Sequence, residues 1–173
     1  MSKVFSSTNA FTSLQTEAGG NATGRRLGIC AARTALWCKS MFGGVRPLLT
    51  EPDAFRAQLL QVKYRWDPAN PGQDYVNLFK SIQVTAAIAF QSLKESLALM
   101  AMSAQSGVYH LSEVGVHTVG AATTGGKYYF YDCDENGAGG LYEFDSLSDW
   151  KALIDGHYGT VNWVGVKVSA VTN

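Results

Sequence analysis

The second half of this chain alternates. After Gly107 the apolar period becomes two, and VGVHTVGA, KYYFYDC, GLYEFD and TVNWVGVKVSAV read as strands with Gly-rich joints between them. Joints of hairpin length leave no room for a crossover, so consecutive strands run antiparallel. A mostly antiparallel sheet needs an apolar cover, and the first half of the chain has to supply it.

That half reads as helical. Residues 28–42, GICAARTALWCKSMF, form a helix stopped by Gly43-Gly44. In TEPDAFRAQLLQVKYRW, Thr50 is the expected N-cap, with Pro52 in the first turn and Asp53 near the positive helix end. A second helix over 51–65 follows, broken by DPANPG. Phe79, Ile82, Ala86, Phe90, Leu93, Leu97 and Met100 recur at three- and four-residue steps, which predicts a long helix over 74–104. LSDWKALID predicts a last helix, capped by Ser146 or Ser148. Residues 1–24 read as a loop-like segment with one short strand around Val4–Phe5, and residues 25–173 as one domain. Helices first and antiparallel strands after make an α+β fold, with the helices packed on the sheet.

The 173 residues are 46% hydrophobic and 12% aromatic, which supports a packed core and excludes a disordered chain. Fourteen basic residues balance fourteen acidic ones, and Arg25-Arg26 is the one tight basic pair, so no nucleic-acid or anionic-membrane partner is expected. The most apolar run, VTAAIAF, is flanked by Gln83, Gln91, Lys94 and Glu95 and is too short to span a bilayer. The first residues lack the apolar stretch of a cleaved signal. The chain is expected to fold in a bacterial cytoplasm, and any export would proceed without such a signal.

Two chemistries compete at one place. DCDENGAGGLYE satisfies a calcium-loop pattern through Asp132, Asp134, Asn136, Gly137 and Glu143. Its flanks, KYYFYD and GLYEFD, are β-favouring aromatics rather than the helices of an EF-hand, so a Gly-rich hairpin turn is the better reading. The second chemistry uses a thiol. Cys30 follows Gly28-Ile29 into the first turn of a helix, where the partial positive charge favours a thiolate and unpaired N–H groups suit an oxyanion. Taken alone, Cys30 is better explained as a small buried hydrophobe, the usual fate of a cysteine. Cys38 falls deeper in the helix and reads as core, and no role attaches to Cys133. Three cysteines do not make a disulfide framework. His117 lies mid-strand, while His110 and His157 have loop-like surroundings. Asp132 ends the strand after His117, and two adjacent antiparallel strands can bring the two side chains together. Cys30, His117 and Asp132 then supply a nucleophile, a base and an orienting acid.

In that order and context, these residues resemble the papain-like (clan CA) cysteine peptidases, and more narrowly the YopT/AvrPphB type, peptidase family C58, of bacterial effectors. Three stretches carry the resemblance: GIC-AARTALW, with Trp37 seven residues after the Cys; VHTVG; and YYFYDCDENGAGGLYEF. Together they cover roughly residues 25–145. The resemblance implies a papain-like fold in which Cys30 is the nucleophile, His117 the general base and later acid, and Asp132 the orienter. It implies cleavage of an amide bond in a protein or peptide-like substrate through an acyl-enzyme, with no cofactor or metal. No Asn or Gln occurs in residues 22–29, so either Asn21, the nearest, reaches the oxyanion hole through a loop, or a backbone N–H such as that of Cys30 serves, or the site differs from the family's. The family's Asp-Pro-Asn is Asp132-Cys133-Asp134 here. The same triad could serve a peptidoglycan amidase, a deamidase or a transglutaminase. An effector or toxin of this kind would bring an immunity protein or a secretion chaperone as partner. The remaining alternatives are a non-catalytic binding module and a calcium-dependent one.

Overall fold

The computed structural model describes residues 1–6, 30–43, 52–63, 70–113, 116–134, 139–158 and 161–171. Among them, seven strands form one sheet: β1 (Ser2–Ser6), β2 (Val84–Lys94), β3 (Gly107–Glu113), β4 (His117–Thr124), β5 (Lys127–Asp132), β6 (Gly140–Phe144) and β7 (Asn162–Val171). Their order across the sheet is β1-β6-β5-β4-β3-β7-β2, and every neighbouring pair is antiparallel. The helices are α1 (Cys30–Gly43), α2 (Ala54–Lys63), α3 (Pro71–Ser81), α4 (Glu95–Ala104) and α5 (Leu147–Tyr158). The fold is therefore α+β, with a mixed set of helices on an antiparallel sheet.

The helices divide between two apolar clusters. One gathers α1, α2 and α3 with Val108, Ala122, Tyr131, Val164 and Val166. The other gathers α4 and α5 with Tyr109, Leu111, Ala121, Phe130, Phe144 and Trp163. Strand residues alternate between the clusters, as side chains on opposite faces of a pleated sheet must. With both faces covered, β3 and β4 are buried almost throughout, their polar side chains included.

α1 is the most deeply embedded helix, with every residue from Cys30 to Cys38 buried. Trp37 stacks on Tyr131 at 5.4 Å between ring centroids, and Cys38 Sγ donates to the Tyr109 carbonyl at 3.6 Å. The approach to β4 depends on Gly120, where a Cβ would lie 2.4 Å from the Trp37 ring. A glycine in mid-strand thus marks a close approach of a helix, and it sets how α1 lies along β4.

Helix boundaries follow local chemistry. The cap on α2 is Asp53, whose Oδ1 accepts from the Arg56 N–H at 2.7 Å; Thr50, the expected cap, lies outside the described residues. Ser146 caps α5, its Oγ accepting from the Asp149 N–H at 3.4 Å. The strand expected around Val4–Phe5 extends over Ser2–Ser6 and pairs with β6.

The long helix over 74–104 is not formed. Its stripe is divided among α3, β2 and α4. α3 ends in a turn at Ile82-Gln83, with Gln83 at φ 61, and the chain then pairs with β7 from Val84↔Val171 to Lys94↔Asn162. The residues of VTAAIAF satisfy their backbone groups across that ladder instead of along a helix. β3 is a further strand that the reading of 107–113 did not separate. It carries His110, so that residue belongs to a strand and not a loop. His157 likewise lies in the last turn of α5.

Candidate functional site

The sequence places Cys30 at the first residue of α1. A helix start there aims its unpaired N–H groups and partial positive charge at the thiol. Cys30 keeps 9% of its surface exposed, while Cys38 has 0% and Cys133 1%, so Cys30 is the least enclosed of the three. Gly28, Ile29, Arg25, Arg26 and Asn21 lie outside the described residues, Asn21 being the side chain expected at the oxyanion hole.

β4 and β5 supply the other two groups. Gly120 opposes Tyr131, which puts position 119 opposite 132 and leaves His117 and Asp132 as diagonal neighbours on one face. His117 Nε2 meets Asp132 Oδ1 at 2.8 Å. The Asp134 N–H donates to the same oxygen at 2.8 Å. The Tyr158 hydroxyl donates to Oδ2. Cys30 lies close enough to His117 and Thr118 for both to act on its thiol. With Nε2 committed to Asp132, Nδ1 is the nitrogen left for the thiol. Thr34 Oγ1 in turn donates to the Thr118 carbonyl at 3.3 Å, tying α1 to the start of β4.

Charge follows from these contacts. Burial alone would push the His117 ring below its ordinary 6.5, but the bond to Asp132 and the bond and charge of Cys30 outweigh it and raise the ring to about 11. Burial likewise favours the neutral thiol of Cys30. The bond and charge of His117, with Thr118, overcome that and lower the thiol from its ordinary value. Asp132 is wholly buried, yet His117, Tyr158 and the Asp134 amide hold its carboxyl below 3.8. Each of the three shifts favours the charged form over its ordinary population, toward thiolate, imidazolium and carboxylate in a row, the charge arrangement that thiol acyl-transfer chemistry uses.

Other residues singled out in the sequence lie elsewhere. Cys38 is core, and burial holds its thiol well above the ordinary value. Cys133 is buried in the same cluster. His110 is fully buried; burial lowers it to about 4 against its bond to the Ala31 carbonyl, 3.1 Å away. It thus braces the first turn of α1 as a neutral ring. The described residues of the calcium pattern have other partners. Its flanks are β5 and β6, Asp132 is committed to His117, and Glu143 pairs with Lys127 at 3.1 Å from mid-strand. Asn136 and Gly137 lie outside the described residues. No group of three potential metal ligands occurs among the described residues.

Two contributors escaped the sequence. Thr118 is signalled only by its place beside His117. Tyr158 has no local signal at all, because its contact with Asp132 is made by the docking of α5 against β5.

No family model and no curated protein matches this chain. Among solved structures, the crystal structure of the Pseudomonas avirulence protein AvrPphB matches with a TM-score of 0.56 over 82% of this chain and 92% of that one. The two share a fold. At 16% sequence identity the likeness extends no further than that. Among the described residues, no helix is long and apolar enough to cross a membrane.

Proposed function

We propose that this chain is a papain-like cysteine peptidase that cleaves an amide bond in a protein substrate. The observation that carries this reading is the single imidazole of His117 shared between the Cys30 thiol and the Asp132 carboxylate. The shared fold with AvrPphB supports it, since the family resembled in sequence includes that protein in its name.

The Cys30 thiolate attacks the scissile carbonyl, and the negative charge that develops on oxygen meets the N–H of Cys30 at the start of α1. His117 gives its proton to the leaving amine, which departs as the C–N bond breaks and leaves a thioester on Cys30. Water then attacks the thioester, with His117 taking its proton, and the acid product and thiolate are restored. Asp132 keeps Nε2 protonated throughout, so Nδ1 does the proton transfer. The avirulence protein with this fold also supports a role as a bacterial effector that acts on a protein of another cell.

The test is the set of new protein N-termini formed when a host-cell lysate is treated with the wild-type chain and with Cys30→Ala. Termini appearing with wild type alone are expected. If neither protein generates any while Cys30 is still selectively alkylated, the thiol serves some other acyl transfer and the peptidase reading fails.

A further inference from the structure

Asp132 is wholly buried, and both of its oxygens are engaged. Oδ1 accepts from His117 and from the Asp134 amide, each at 2.8 Å, and Oδ2 accepts from the Tyr158 hydroxyl. Tyr158 ends α5 with its ring nearly parallel to that of His117, at 20° and 6.2 Å between centroids. Its place is fixed by Trp163, edge-on at 5.6 Å, and by Phe130 at 5.9 Å. One side chain therefore touches two successive members of the site.

We propose that Tyr158 is a positioning residue for the Cys30–His117 pair, acting through Asp132: its hydroxyl fixes which carboxylate oxygen faces His117 and keeps that carboxylate ionised inside an apolar wall. This rests on the peptidase reading of the site.

The physical basis is the loss of one hydroxyl donor from a wholly buried carboxylate, at a side chain packed between Phe130 and Trp163. Without the hydroxyl, the carboxylate has two relaxations. It can rotate and divide its charge between His117 and the Asp134 amide differently, or it can take up a proton. Either weakens the imidazolium and, with it, the thiolate. The titratable groups facing Tyr158 and its partner are His117 from β4, Asp132 itself from β5, Cys30 from α1 through His117, and His157, whose ring lies 6.0 Å from that of Tyr158 on α5. A hydroxyl donor lowers the proton affinity of a carboxylate, so losing it raises the pH at which Asp132 protonates. The acid limb of Cys30 reactivity then moves to higher pH.

The experiment is the rate of Cys30 modification by iodoacetamide as a function of pH in wild type, Tyr158→Phe, Asp132→Asn, the double variant and Phe130→Leu. For Tyr158→Phe the acid limb should shift upward by about one pH unit, with about tenfold slower modification at mildly acidic pH. In the Asp132→Asn background, Tyr158→Phe should change the rate less than about twofold, because the two act as one unit. Phe130→Leu perturbs the same ring packing without touching the hydroxyl and should leave the acid limb in place. An unshifted limb in Tyr158→Phe would overturn the proposal. So would a full effect in the Asp132→Asn background, or an equal shift in Phe130→Leu, either of which would assign Tyr158 to packing alone. A wild-type Cys30 no more reactive than Cys38 or Cys133 would overturn both this inference and the peptidase reading, whereas a reactive Cys30 indifferent to Tyr158 overturns this one alone.

Discussion

His117→Ala should slow the alkylation of Cys30 by about 10²–10³-fold at about pH 5.5. With His117 present, the thiol is held down by the ring's hydrogen bond and charge against a burial effect that favours the neutral form. Removing the ring leaves burial unopposed except by Thr118. A thiol at or above the ordinary value of about 8.5 has roughly one molecule in a thousand ionised three pH units lower, which sets the size of the loss. The fold should survive, because the His117 side chain is part-exposed and belongs to neither apolar cluster. Cys30→Ala should abolish proteolysis with equally little change in far-ultraviolet circular dichroism. Mass spectrometry of the alkylated chain checks the His117→Ala result, since it reports modification at Cys30, Cys38 and Cys133 separately, and N-terminal profiling with circular dichroism checks Cys30→Ala.

Asp132→Asn should lower the same rate by about 10–10²-fold, the range expected for losing a charge-assisted hydrogen bond and less than His117→Ala costs. An amide can still accept from His117 and Asp134 through its oxygen and donate to the Tyr158 hydroxyl through its nitrogen, so the geometry holds while the charge is gone. Asp132→Ala should be worse on both counts. It leaves the His117 ring, the Asp134 amide and the Tyr158 hydroxyl without their acceptor, at a cost of about 3 kcal/mol in stability. The variants also separate by pH. The folded carboxyl of Asp132 is held below its ordinary 3.8. Its stabilising contribution is therefore present above 3.8 and is lost as pH falls through the lower folded value. Denaturant melts between about pH 2 and 5 should show a steeper loss of stability in wild type than in Asp132→Asn.

The sheet was legible where the sequence wrote its own turns. Gly125 and Gly126 adopt positive φ between β4 and β5, and Gly139 and Gly140 do so at the entry to β6. Alternation on either side of such joints fixes both strand and register. The stretch 74–104 was opaque for the complementary reason. It contains neither Gly nor Pro, the turn after α3 is taken by Gln83 in a conformation its sequence does not advertise, and the partner that makes VTAAIAF a strand is β7, near the other end of the chain. Its three- and four-residue spacing was real, but three separate elements use it. At the site, residue type and strand position placed Cys30, His117 and Asp132 as candidates, and the fold brings those three together. Tyr158 was out of reach, because a tyrosine at the end of a short helix looks like any other core aromatic until α5 is docked. The calcium pattern was complete as a motif, yet the strand character of its flanks already argued for a turn, and its first residue is bonded to a histidine and its last to a lysine.

The protonation of His117 is the most direct measurement of the site, read from its ring nitrogen-15 shifts across pH in wild type and in Cys30→Ala. A ring charged through neutral pH, titrating far above 6.5 in wild type and dropping by more than about one unit when the thiolate is removed, is the expected result. A ring that titrates near 6.5 in both proteins would contradict a thiolate–imidazolium pair at Cys30 and His117.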